Sequence, residues 1–125
     1  FDRNGSNGPN KLYNNIGWNN GYRDFVFRDQ DGSILRNNIS VTGNNNLGGS
    51  DSEYNSWDLS VKVNSDDFIS MDDSVITGPR AADGSIRDSG FLKLKRGSDL
   101  IDAGTNVGLP YNGSGPDLGA IESDY

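Results

Sequence analysis

Around two phenylalanines, Phe1 and Phe25, the chain places Asp2, Arg3, Arg23, Asp24 and Arg28. An arginine fork grips a carboxylate through two parallel hydrogen bonds and a sugar hydroxyl through one. Tyr13, Trp18 and Tyr22 lie close by in sequence. An aromatic face gives the C–H groups of a sugar ring a stacking platform, so exposed aromatics are the expected anchors of a glycan. Tyr22, in a turn beside Gly21, is the best placed of the three. Trp18 falls where Val41 stands in the repeat described below, and the competing reading packs it between layers. The charges compete with an ordinary solvated ion-pair face. Tyr22, Arg23, Asp24, Arg28, Asp2, Trp18 and Tyr13 are thus the candidate polysaccharide contacts.

Asp29-Gln30-Asp31-Gly32 has the acidic spacing of a partial calcium loop but lacks the later ligands of a complete one. Asp29 and Asp31 are the candidate metal ligands. They share that standing with the pairs Asp66-Asp67 and Asp72-Asp73, which serve equally well as turn residues. No cofactor is required, and calcium is the ion the composition would accept. Cysteine and histidine are absent, which removes disulfides, a thiol nucleophile, the usual zinc ligand and Ser/His/Asp chemistry. With 18 acidic residues some carboxylate pair always fits glycoside hydrolysis, so that signal decides nothing. A net charge of −7 disfavours nucleic acid and anionic membranes, and suits a secreted protein. No apolar run is long enough for a membrane span.

The element that must position these groups is a short stretch that occurs twice. Leu12-Tyr13-Asn14-Asn15-Ile16-Gly17-Trp18 lies almost in register with Leu35-Arg36-Asn37-Asn38-Ile39-Ser40-Val41, offset by 23 residues. A degenerate third copy follows at Tyr54-Asn55-Ser56-Trp57-Asp58-Leu59. Each copy alternates like a strand, and one such coil cannot bury its own apolar face. Short strands at this period, joined by Asn and Gly turns, predict an all-β chain. Its form is a right-handed parallel β-helix of a few coils with an irregular C-terminal cap. The stacked asparagines would hydrogen-bond up the stack and tolerate left-handed backbone.

At 125 residues the chain is one domain. Coils are expected over 1–64, and the last strands with a capping segment over 65–125. Phe25-Val26-Phe27 reads as a strand aligned with Phe1, so its inward phenylalanines would leave the flanking charges on the outer face. Gly43 to Ser52 is the most polar segment and is expected to be a mobile loop. Val61-Lys62-Val63 and Phe68 to Met71 are further strand candidates. Phe91-Leu92-Lys93-Leu94-Lys95 alternates like an edge strand protected by lysines. Ser98 to Gly104 reads as a helical turn stopped by Gly104. The start at Phe1 without a Met reads as a module cut from a larger secreted polypeptide.

Taken with Asn55-Ser56-Trp57, Phe91-Leu92, Gly97-Ser98-Asp99-Leu100-Ile101-Asp102-Ala103-Gly104 and Leu109-Pro110-Tyr111-Asn112-Gly113-Ser114-Gly115-Pro116-Asp117-Leu118-Gly119-Ala120, the Asn-pair repeat resembles the C-terminal part of parallel β-helix polysaccharide lyases. It is most similar to the pectate lyases of polysaccharide lyase family nine, over nearly the whole chain. The resemblance implies a parallel β-helix, an extracellular setting and an acidic or plant cell-wall polysaccharide ligand. In that family a lysine base and a calcium site of clustered aspartates lie on coils that align before Phe1. None of Lys11, Lys62, Lys93 or Lys95 matches the base. The expectation is therefore a non-catalytic carbohydrate-binding module, recognising xylan or pectin and targeting an appended catalytic domain. The alternative is a C-terminal segment of a lyase acting by calcium-assisted β-elimination, inactive alone but completing its fold. A third reading is a capping or assembly piece that binds no glycan.

Overall fold

The computed structural model describes residues 9–27 and 32–125. Within them the strands run β1 (Lys11–Tyr13), β2 (Ile16–Gly17), β3 (Phe25–Val26), β4 (Ile34–Arg36), β5 (Ile39–Ser40), β6 (Asn45–Asn46) and β7 (Asp51–Ser52). All their pairings are parallel, in the orders β1-β4-β7, β2-β5 and β3-β6. Each sheet takes one strand from each coil, so the chain winds as a parallel β-helix. Leu12 stacks on Leu35, Ile16 on Ile39 and Phe25 on Asn45.

The first turn of every coil uses one device. Its first residue is left-handed, at φ 55° for Asn14, 58° for Asn37 and 57° for Tyr54. Asparagine takes this conformation with little strain. The next residue belongs to a ladder. Asn15 Nδ2 donates to Asn38 Oδ1 at 3.0 Å, and Asn38 Nδ2 donates to Asn55 Oδ1 at 2.7 Å. Each acceptor also takes the backbone N–H of the asparagine in the preceding coil, at 2.9 and 3.0 Å. Asn55 ends the row by donating to Asp58 Oδ2 at 2.8 Å. The buried amides of Asn38 and Asn55 are thereby satisfied, which the interior demands. The third copy therefore stacks on the first two, although it follows 17 residues after the second rather than 23.

Two apolar clusters result. Leu12, Phe25, Phe27 and Leu35 fill the interior of the coils, with Leu47 and Trp57 leaning on them. Trp57 lies 5.1 Å from Phe25, and its Nε1 donates to Ser52 Oγ at 2.8 Å. Burying each of these side chains contributes about 1.5–3 kcal/mol. The second cluster lies outside the coils. Ile16 and Ile39 turn outward and meet Leu100, Leu118, Leu94 and Phe68. The C-terminal cap thus covers the flank of the stack. A Cβ on Gly119 would sit 2.7 Å from Ile39 Cδ1, so only glycine lets the cap come this close.

Several local expectations change. The polar stretch Gly43 to Ser52 is not all loop: it supplies β6 and β7 and packs Leu47 against the inner cluster. Residues 61–63 form no strand. A 3₁₀ turn at Ser65–Asp67 follows, closed by an Asn64 capping box. Phe68 and Ser70 make only isolated bridges, to Leu94 and Phe91. Leu92, at φ 53°, breaks the alternation of Phe91 to Lys95. No helix forms over 98–104. Asp102 takes the left-handed position at φ 58°, and Gly104 is needed because a Cβ there would meet Asn37 Oδ1 and Pro116 O at 2.8 Å. Among the described residues the α-helix is the single turn Ser74–Thr77, and no helix is long and apolar enough to cross a membrane.

Candidate functional site

The turn between β2 and β3 collects most of the described candidates. Asn19 at φ 53° and Gly21 at φ 75° bend it sharply. Tyr22 N–H donates to Asn20 O at 2.8 Å, and Asn44 Nδ2 donates to Tyr22 O at 2.7 Å. The backbone beneath Tyr22 is therefore pinned while its side chain stays 68% exposed. Arg23 Cζ lies 4.8 Å from the Tyr22 ring centroid, and Nη2 donates to Tyr22 Oη at 3.4 Å. These two residues do form one surface unit, an aromatic with a cation over it.

Asp24 does not join it. The carboxylate is 1% exposed and points into the coil. Oδ2 accepts from Ser40 Oγ at 2.7 Å, Thr42 Oγ1 at 2.8 Å and Thr42 N at 3.0 Å, and Oδ1 accepts from Asn20 Nδ2 at 3.0 Å. Burial pushes its pKa up, and the bonds from Ser40, Asn20 and Thr42 outweigh that and hold it below the ordinary value. The expectation that Asp24 lies on the outer face is corrected. The chain bends at Asp24, so strict alternation outward from Val26 fails there.

Trp18 is half-buried edge-to-face against Phe91, 5.2 Å between centroids, and belongs to the contact with the cap. Tyr13 stands on a different sheet, paired in register with Arg36. Asp2, Arg28, Asp29 and Asp31 lie outside the described residues, so their grouping with Tyr22 is not shown.

Two features escaped sequence reading. Asn44, in the supposed loop, fixes Tyr22; the run Asn44-Asn45-Asn46 is its only trace in the sequence. Arg36 is held by Asp51 at 3.1 Å and Glu53 at 3.2 Å, a grouping visible only once β4 and β7 are in register. No group of three or more acidic residues converges on a metal position among the described residues. Asp67, one of the acidic pairs, instead accepts from Asn64 N and Ser98 Oγ at 2.8 Å. Lys93 is tied to Asp88 at 2.8 Å, and that hydrogen bond raises its pKa, the wrong direction for a proton-abstracting base.

No family model matches the chain. Pectate lyase L of Dickeya chrysanthemi is 36% identical over 126 residues, covering 98% of this chain and 30% of its own length. Pectate lyase L of Paenibacillus polymyxa is 37% identical over 119 residues, covering 86% of this chain and 26% of its own. Pectate lyase PEL9 of Emericella nidulans is 32% identical over 103 residues. The crystal structure of pectate lyase Pel9A superposes with a TM-score of 0.79 at 32% identity, over 99% of this chain and 32% of that one. The chain is a relative of the family nine pectate lyases. It spans a quarter to a third of the length of those it matches. The expectation of a non-enzymatic protein is corrected by these relatives, all of which are named as lyases.

Proposed function

We propose that this chain is a segment of a pectate-lyase-like enzyme that cleaves an acidic, polygalacturonate-type polysaccharide by β-elimination. Its coils extend and finish the β-helix, the cap braces them, and the Tyr22 turn lies among the polymer-facing groups. The reading carries a secreted setting with it. The observation that supports it is the match to a pectate lyase over 98% of the chain, a span that takes in the Asn ladder and the cap alike. Among the described residues no group of three or more carboxylates converges on a metal position, and the hydrogen bond to Asp88 moves the Lys93 pKa upward.

The test is to give the full-length protein polygalacturonate with and without added calcium, and to follow the ultraviolet absorbance of unsaturated uronate products. Products that form with calcium and vanish with chelator are expected. Absence of products, or retention on neutral xylan with none on polygalacturonate, would overturn the assignment.

A further inference from the structure

We infer that Tyr22 and Arg23 form a subsite for one uronate residue, in which Arg23 leaves the tyrosine ring to pair with the ligand carboxylate. The inference deepens the lyase reading and rests on it. Of the described arginines only Arg23 and Arg36 are half-buried. Arg36 is met by two carboxylates, Asp51 and Glu53. Arg23 is met by none among the described residues, in a chain of net charge −7, and its Nε is buried with no hydrogen-bond partner. A buried donor without a partner is destabilising, and the one acceptor Arg23 does reach, Tyr22 Oη, is 3.4 Å away and exposed.

The free-state arrangement is therefore easily exchanged. The guanidinium rests on an aromatic face through a long hydrogen bond and a solvent-exposed cation–π contact, both weak. A carboxylate accepting from Nε and a terminal nitrogen together gives the strong bidentate pairing. It would satisfy the orphan donor and uncover the Tyr22 face for the apolar side of the same sugar ring. The platform is stiff before the ligand arrives, since Asn44, Asn20 and the left-handed Gly21 fix the tyrosine backbone. Little ordering is then required on binding. A neutral sugar hydroxyl accepts a single, uncharged bond where a carboxylate takes two charge-assisted ones, so the chemistry favours an acidic residue.

The experiment uses the full-length protein and three variants: Arg23→Gln, Arg23→Lys and Tyr22→Ala. Binding to polygalacturonate and to fully methyl-esterified pectin is measured by affinity electrophoresis, product formation by ultraviolet absorbance, and folding by thermal denaturation. Arg23→Gln is expected to weaken binding to polygalacturonate about tenfold and leave the esterified polymer unchanged. Arg23→Lys should lose less, since charge survives without the fork. Tyr22→Ala should weaken both polymers several-fold. If the parent cleaves polygalacturonate while Arg23→Gln binds it as tightly as the parent, the subsite is wrong and the lyase reading stands. Equal losses on acidic and esterified polymer overturn the carboxylate pairing. A parent that neither binds nor cleaves polygalacturonate overturns both.

Discussion

The side chain of Asn37 and the peptide of Thr105 exchange two hydrogen bonds of 2.8 Å, Nδ2 donating to Thr105 O and Thr105 N–H donating to Oδ1. The amide acts as a strand partner for a segment 68 residues away. Asn37 O also accepts from Gly119 N–H at 2.8 Å, so one left-handed turn residue holds the cap at two points. Asn37→Ala removes both side-chain bonds and the residue type that tolerates φ 58°. At about 1 kcal/mol for each bond and about 1 for the conformation, the loss is about 3 kcal/mol. Denaturant unfolding measures it, and proteolysis should open first within 98–120. A variant as stable as the parent would show that apolar contacts alone retain the cap.

Ladder positions are not equivalent. Asn38 is wholly buried and bonded on both sides, to Asn15 and Asn55, and donates to Leu12 O at 2.9 Å. Asn15 is exposed and bonded to Asn38. Asn38→Ala should cost about 3 kcal/mol and Asn15→Ala under about 1 kcal/mol. The double variant Asn38→Ala with Asn55→Ala should lose less than the sum, since the second change no longer orphans a partner. Additive losses would mean that the asparagines act separately.

What the sequence discloses follows from where each signal is stored. Asn15, Asn38 and Asn55 announce the stack because a ladder needs the same residue in every coil. The two isoleucines announce a buried face but not which side of the sheet buries it; that depends on a cap with no periodicity. Asn45 and Asn46 pair as a strand solely because β3 lies beside them, so their own propensity is silent. Asp24 misled for a related reason. A charged residue beside a strand is ordinarily solvated, and only Gly17 and Ser40, small side chains in successive coils, make the interior space that admits a carboxylate. The Tyr22–Arg23 pair was legible because neighbours in a turn need no tertiary information to meet.

Asp24 sets an acid limit on stability. Its folded-state pKa is depressed below the value of about 3.9 in an unfolded chain. A depressed carboxyl stabilises the fold fully above the unfolded pKa and ceases to do so as pH falls through the folded one. Ser40→Ala removes the 2.7 Å donor and should raise that pKa, moving the acid unfolding midpoint upward. Asp24→Asn turns an amide donor toward Ser40 and Thr42, and should lose about 2 kcal/mol near neutrality. That deficit should begin to shrink below pH about 3.9, where the unfolded parent takes up a proton, and should vanish once the folded carboxyl titrates at still lower pH. Unfolding free energy followed against pH decides, and a deficit constant with pH would assign the acid limit to other groups.

Gly17 carries a steric demand that can be tested by compensation. A Cβ at this position would overlap the Asp24 Cβ and lie 2.8 Å from its Cγ, well inside the contact distance of real side chains. Neither neighbour can retreat cheaply: β2 is bound in register to β5, and Asp24 is fastened to Ser40, Thr42 and Asn20. Gly17→Ala should therefore displace the carboxylate and forfeit several of its bonds, a loss of about 3 kcal/mol or more. Combining it with Asp24→Gly removes the obstructing Cβ and the buried charge together, so the double variant should be more stable than the sum of the two single losses by at least about 1 kcal/mol. Denaturant midpoints of the four proteins complete the cycle. Strict additivity would mean that the alanine harms β2 by some route other than Asp24.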